Sequence, residues 1–255
     1  MGYKKISGVI KSVVFHTLLK LCYNEIIKCY EGVKGMEIKC YEDIYILDDG
    51  KVREFLIIGE DKALLIDTGF EYDHIYDEVK KITQKPIQVV LTHGDRDHCG
   101  GVESFECCYI HPDDSDLIFN QTIIKKITAG DCIQIGQYTF EIIEIPGHTP
   151  GSIGLLDRKR QLLIGGDSIQ VGPIYMFGKH RSLDTYIESL QKLIKEKDDI
   201  EVILPSHHRY PLTKDYIDYC LEDALALKNG QLPKKPHQTL PCYEYQGKYV
   251  QFYYD

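Results

Sequence analysis

From residue 41 onward the chain is written in short apolar runs, each closed by a turn signal. "YEDIYIL" and "REFLIIG" flank Asp49-Gly50 and predict a β-hairpin, because Asp-Gly supplies the positive-φ residues that a tight hairpin turn demands. "ALLIDTG" follows as a third strand ending in Asp67 and Gly69. Residues 71–82 predict a helix, and "PIQVVLT" predicts a buried strand that runs straight into "HGDRDHCGG". Then come a short helix over 102–105, a strand around 108–110 and a mixed region up to Gly130. "DCIQIGQYTFEIIEIPGH" predicts a hairpin whose second strand delivers His148, and "SIGLLD" with "QLLIGGD" predicts another pair ending at Asp167. "SLDTYIESLQKLIKEK" places Leu183, Ile187, Leu190 and Ile194 on one helical face, with Ser182 or Asp184 as N-cap. "EVILPSH" is a further strand, ending at His207. A helix over 214–228, a Pro-rich linker and a Tyr-rich strand, "CYEYQGKYVQFYY", complete the pattern. No fixed-period repeat and no interdomain linker interrupts it, so residues 36–255 read as one domain.

Residues 1–35 follow a different period. "KKISGVIKSVVFHTLLKLCY" spaces its apolar positions as an amphipathic helix, predicting an N-terminal helical extension. Lys11, His16 and Lys20 interrupt it, which makes it too polar for a secretory signal or a membrane span. An alternative reading starts the native chain at Met36, since "EGVKG" would be encoded by purine-rich codons, as a translated ribosome-binding site would be.

Composition narrows the classes. A chain of 255 residues, 43% hydrophobic and 27% charged, buries one sizeable globular core. A formal charge of −9 with no basic run argues against a nucleic-acid partner and leaves a small-molecule substrate. The nine cysteines are odd in number and form no CxxC pair, which favours reduced thiols and a cytoplasmic location over a disulfide framework. The pattern leaves the oligomeric state undefined.

The chemistry sits at strand ends. His93, His148, Asp167 and His207 each lie just past a predicted apolar strand, where loops converge on a rigid sheet. "HGDRDH" adds Asp95, Asp97 and His98, so that four nitrogen and oxygen donors crowd six positions. In an extended loop alternate residues point the same way, so His93 and Asp95 face one ion while Asp97 and His98 face a second. Borderline divalent metals accept such a set, and a carboxylate can bridge two ions. A solvated turn is the alternative for "HGDRDH" taken alone.

With "PGHTPGS", "GGD" and "LPSHH" added in this order, the set resembles the metallo-β-lactamase superfamily over roughly residues 41–210. The resemblance implies an α/β four-layer αβ/βα sandwich. It also implies a metal-dependent hydrolase that uses a metal-bound hydroxide on an ester, thioester, lactone or phosphodiester. His93, Asp95 and His148 would hold a first metal, and Asp97, His98 and His207 a second, with Asp167 bridging them. Asp97 would also orient the nucleophile and move a proton. Asp67 would support the site by hydrogen bonding rather than by binding metal. His207 is preferred over His208 because small Ser206 precedes it, as in the family motif, which leaves His208 as a supporting or substrate-facing residue. Cys99 reads as an inert buried thiol.

One departure stands out: the family's commonest motif has His where this chain has Asp95. The carboxylate makes the first site more anionic. Zinc is the expected metal pair, and oxygen-rich donors bring iron and manganese into range. A di-iron oxidoreductase or dioxygenase on the same fold is therefore the alternative, since flavodiiron proteins place Glu at this point. Tyr175, Met176, Phe177, His180, Arg181 and Tyr210 are expected to line a substrate pocket, with core packing the equal alternative for each aromatic and Arg181 as a clamp for a carboxylate or phosphate. Nothing in the sequence favours a β-lactam ring over other esters or amides.

Overall fold

A computed structural model describes residues 27–31 (backbone), 35–72, 74–118 and 122–255. The amphipathic helix read within the first 26 residues lies outside the described residues. The chain begins with β1 (Ile27–Glu31), β2 (Glu37–Tyr41), β3 (Ile44–Asp48), β4 (Arg53–Ile58) and β5 (Ala63–Ile66). It continues through α1 (Ile75–Ile82), β6 (Ile87–Val90), the single-turn α2 (Arg96–Cys99), β7 (Cys107–Ile110) and β8 (Ile123–Lys126). These strands form one eight-stranded sheet in sequence order. It is antiparallel up to β5 and parallel from β5 to β8.

The second half supplies β9 (Cys132–Ile135), β10 (Tyr138–Glu144), β11 (Ile153–Asp157), β12 (Leu162–Gly166) and β13 (Ile174–Tyr175). It continues with α3 (Leu183–Ile194), β14 (Val202–Pro205), β15 (Leu212–Thr213) and α4 (Asp215–Lys228). The last strands are β16 (Lys234–Pro236), β17 (Tyr243–Gln246) and β18 (Gln251–Tyr254). The second sheet runs β15-β14-β12-β11-β10-β9, and a small third sheet runs β13-β18-β17-β16.

Alternation along the strands explains the layering. Phe55, Ile57, Leu64 and Ile66 of the first sheet face Phe140, Ile142, Leu155 and Ile164 of the second. Leu56, Ala63 and Leu65 point to the opposite face, where Ile75 and Val79 of α1 cover them. Leu156 and Leu163 point outward from the second sheet against Tyr186, Leu190 and Ala224 of α3 and α4. Strands buried on both faces read as unbroken apolar runs, which is why "REFLII" and "ALLI" do not alternate in sequence. The result is helix, sheet, sheet, helix: the four layers expected.

Two local expectations sharpen or change. Ser182 is the N-cap of α3, its hydroxyl accepting the Thr185 N–H at 3.2 Å. The Tyr-rich C-terminal strand is instead the hairpin β17–β18. Asp223 of α4 accepts the N–H groups of Lys248, Tyr249 and Val250, holding a turn that no local turn pair announces. Cys40 is disulfide-bonded, contrary to the reading of uniformly reduced thiols; an odd cysteine count gives no hint of a single pair. Cys99, Cys107, Cys108, Cys132, Cys220 and Cys242 are free. No helix among the described residues is long and apolar enough to cross a membrane.

Candidate metal centre

The strand ends converge at one edge of the two central sheets. β5 is followed by Asp67, which takes a left-handed backbone (φ 62°) and lies fully buried. Its carboxylate accepts the Thr92 N–H at 2.7 Å and the Thr92 hydroxyl at 2.8 Å. The residue after β12 is Asp167, reached through Gly166, whose φ of 52° and close approach to the Thr92 side chain suit a residue without Cβ.

Four imidazoles are then fixed in one common manner. His98 Nδ1 donates to Asp67 Oδ2 at 2.8 Å. The Thr92 hydroxyl already donates to Asp67, so its oxygen accepts from His93 Nδ1 at 3.0 Å. His148 Nδ1 donates to the Tyr175 carbonyl at 2.9 Å, and His207 Nδ1 donates to the Lys51 carbonyl at 2.6 Å. With each Nδ1 occupied, every Nε2 is the free atom and all four point inward. Such partners set tautomer and ring orientation in metal-binding histidines.

The inward atoms fall into overlapping groups whose donor atoms lie within 4.8 Å of one another: His93, Asp95 and His148; Asp97, His98 and His207; and His93, His98 and Asp167. Asp95 Oδ2 is 3.5 Å from His93 Nε2 and 3.1 Å from His148 Nε2. Asp97 Oδ2 is 3.6 Å from His98 Nε2 and 3.3 Å from His207 Nε2. Asp167 stands between, Oδ1 at 3.3 Å from His98 Nε2, and Oδ2 at 3.2 Å from His207 Nε2 and 3.6 Å from His148 Nε2. In a tetrahedral site with bonds of about 2.1 Å, neighbouring donors sit about 3.4 Å apart, so these separations match the edges of a coordination shell.

Two further observations test the fit of a metal. His93 Nε2 and Asp167 Oδ1 are buried without a hydrogen-bond partner, an arrangement that ordinarily costs about 1–3 kcal/mol per group. His98 Nε2 and His207 Nε2 face each other at 3.3 Å although both Nδ1 atoms already donate. Two lone pairs or two N–H groups then oppose one another unless one ring alone carries a second proton. A shared cation satisfies all of these atoms together. The donors present fit divalent metal.

The sequence model of the metallo-beta-lactamase superfamily matches residues 50–106 and 116–207, covering every one of these side chains. The chain belongs to the metallo-beta-lactamase superfamily. It is 23% identical over 213 residues to "Acyl-coenzyme A thioesterase MBLAC2" of Gallus gallus, covering 64% of this chain and 77% of that protein. It is 26% identical over 175 residues to "Hydroxyacylglutathione hydrolase GloC" of Haemophilus influenzae, covering 59% of this chain and 82% of that protein. Among solved structures, a metallo-beta-lactamase from Pontibacter korlensis superposes with a TM-score of 0.61 at 17% identity, covering 77% of this chain and 97% of that one. The chain is a metallo-hydrolase by its family, and the superposition confirms the four-layer fold.

In this member of the superfamily, acidic side chains dominate the centre. Burial alone would push the His98 and His207 rings toward neutrality. The carboxylates of Asp97, Asp167 and Asp67 outweigh it at His98 and raise its pKa to about 10. Those of Asp167 and Asp97 raise His207 to about 11. Burial would raise the pKa values of Asp95 and Asp167, yet the facing imidazoles hold both well below the usual carboxylate range. Cys99 is buried beside the centre, its thiol pushed up to about 12 by desolvation, so it stays an unreactive thiol.

A cavity of about 620 Å³ opens beside Asp95. Phe177, His180 and Arg181 line it, opposite Leu117, Ile118, Gly94, Arg96 and Cys99. Other anticipated pocket residues lie elsewhere. Tyr210 is 9% exposed, with the Arg53 guanidinium 4.1 Å from its ring centroid, so it belongs to the core between the sheets. Met176 packs into the outer core under α3. The Tyr175 ring is tilted against Phe177 and meets Tyr253 edge-on, and its contribution to the centre is the carbonyl that fixes His148. His208 is exposed, while His207 turns inward.

Two positioning residues escaped the sequence reading. Arg53 reaches from the first sheet to the Pro205 carbonyl (3.1 Å) and the His208 carbonyl, bracketing His207. Asp114, fully buried, accepts the Gly94 N–H (2.9 Å), the Thr149 hydroxyl (2.6 Å) and the Gly151 N–H (2.7 Å). It thereby ties the loop of His93 to the loop of His148. Within "HPDDSD" nothing marks Asp114 off from its neighbours; only burial does.

Proposed function

We propose that this protein is a two-metal hydrolase of thioesters, with zinc the first metal to test. The observation that carries the reading is the convergence of four Nε2 atoms, each fixed from behind through Nδ1, upon Asp95, Asp97 and Asp167. His93, Asp95 and His148 would hold one ion and Asp97, His98 and His207 the other, with Asp167 serving both. Ions so held supply Lewis-acid polarisation of the scissile carbonyl and lower the pKa of water from about 15.7 toward about 7.

The protein's own share is positioning and exclusion. Thr92, Asp67 and Asp114 keep the donors from rotating, and Phe177, Leu117 and Ile118 give an acyl group an apolar wall beside Asp95. Asp97, with side chain 26% exposed, is open to the reacting group and is the carboxylate placed to orient water and carry a proton away. A thiolate leaves without needing a proton at neutral pH. The named similarities to an acyl-coenzyme A thioesterase and a hydroxyacylglutathione hydrolase support the thioester reading. Ester, lactone and phosphodiester hydrolysis are the same chemistry at another pocket. The six free thiols support a cytoplasmic location, and the Cys40 bridge counts against it.

The test is release of free thiol from acyl-coenzyme A and acyl-glutathione substrates by protein stripped with chelator and then reloaded with zinc, manganese or iron. Thiol release restored by metal supports the reading. Turnover indifferent to metal removal, or turnover of esters or phosphodiesters alone, overturns it. The oxygen-rich Asp95 gives the di-iron reading its single supporting observation, and an iron-loaded, coloured protein without hydrolytic turnover would favour it.

A further inference from the structure

Each imidazole of the centre has a fixed partner behind it, and Asp95 has one too. Arg181 Nη2 donates to Asp95 Oδ2 at 2.5 Å, from a side chain only 14% exposed. We propose that Arg181 is the positioning residue of Asp95, paired with it so that a carboxylate can stand where an imidazole would otherwise stand; the proposal rests on the metal-centre reading above.

Three observations carry it. First, Arg181 is built into the scaffold of the neighbouring donor. Its N–H donates to the Gly178 carbonyl, and the next residue, Ser182, donates its N–H to the Gly147 carbonyl beside His148 before capping α3. The guanidinium therefore approaches Asp95 from the His148 side, on a backbone that the fold fixes. Second, the other arginine near this loop is engaged elsewhere: Arg96 binds Glu71 at 2.6 Å on the exposed rim. Third, Asp95 needs an anchor more than the histidines do. Its side chain is 25% exposed at the cavity, and its remaining contacts on Oδ2 are His148 Nε2 and His93 Nε2. Once those nitrogens serve an ion, Arg181 is the one protein group left on Asp95 among the described residues.

The pair also settles the charge. Replacing imidazole by carboxylate adds one negative charge to the first donor trio, and a guanidinium in contact with it adds one positive charge. Asp95 with Arg181 therefore has the formal charge of one neutral imidazole, and the guanidinium takes one lone pair of Oδ2, the oxygen that also faces His93 and His148, leaving that atom a second lone pair for an ion. This predicts a dependence that a merely structural arginine would not show. Beside Asp95, Arg181 aids metal binding; beside an imidazole it would be an unpaired cation facing a dication and would oppose it.

The experiment is competition of zinc-loaded protein with a chromophoric chelator, for the unaltered chain, Arg181→Met, Arg181→Lys, Asp95→His and the double variant Asp95→His/Arg181→Met. Thermal melts of the metal-free forms check folding. The expected result is an affinity for one of the two ions lowered about 10–100-fold by Arg181→Met, the usual scale for an outer partner of a metal ligand. Arg181→Lys should recover part of it, and the sign should reverse in the Asp95→His background. Unchanged zinc affinity in Arg181→Met with only KM raised would overturn the proposal and make Arg181 a substrate clamp. An equal drop in both backgrounds would also overturn it. An unaltered chain that takes up no zinc would instead refute the metal centre itself, whatever the variants do.

Discussion

The two donor trios of this centre are built from different materials. Asp97, His98 and His207 are held by the protein interior: His98 by the fully buried Asp67, and His207 by a hairpin carbonyl and the bracket of Arg53. His93, Asp95 and His148 are held partly by Arg181, which also lines the cavity, and by the Tyr175 carbonyl, two residues before Phe177 of the cavity wall. The first kind of support is insulated from the substrate, whereas the second shares its residues with the substrate's walls. Metal binding by Asp97, His98 and His207 should therefore behave as a property of the fold, and by His93, Asp95 and His148 as a property of fold and pocket together.

The most severe way to break that contrast is to remove what the trios share. Asp167→Ala should strip both ions from the chain, seen by elemental analysis, and lower turnover by about 10³-fold or more. Two retained ions would remove Asp167 from its bridging place. Next, Asp67→Ala leaves His98 Nδ1 and Thr92 without their buried acceptor. It should weaken one ion about 10–100-fold and destabilise the metal-free fold by about 1–3 kcal/mol, measured by chelator competition and chemical denaturation. Its loss should fall mainly on the trio that Arg181→Met spares, through His98, with a smaller share on His93 through Thr92. Asp114→Ala should act more mildly on turnover but lower the melting temperature, because it frees the His93 loop from the His148 loop. An unchanged melting temperature would show that the clamp is dispensable.

The smallest effect is one of pH. In the metal-free chain His98 and His207 carry pKa values of about 10 and about 11, above the unfolded value near 6.5. The stability they contribute is complete below about pH 6.5 and is lost as pH rises through about 10–11. Denaturation midpoints of metal-free protein should fall across that alkaline window, and saturating zinc should flatten the fall, because a metal takes the place of the protons. A metal-free midpoint independent of pH there would contradict the acidic setting of those rings.

Most of this was legible from residue order. Strand runs ending in His93, His148, Asp167 and His207 predicted both the sheets and the point where they converge, because apolar runs and strand-end chemistry are local signals. What escaped is tertiary. Asp114 and Arg53 look like surface charges until burial and their backbone partners, N–H donors for Asp114 and carbonyl acceptors for Arg53, identify them. Tyr210 read equally as pocket or core, and the packing of Arg53 on its ring places it in the core. Asp95 is the instructive case. Alone it reads as a departure that makes the first site more anionic, and its compensation lies 86 residues away in Arg181.

Metal stoichiometry is the most direct measurement of the central claim. On protein purified without added metal or chelator and then saturated with zinc, elemental analysis should find about two ions per chain. One ion or none per chain at saturation would contradict a two-metal centre.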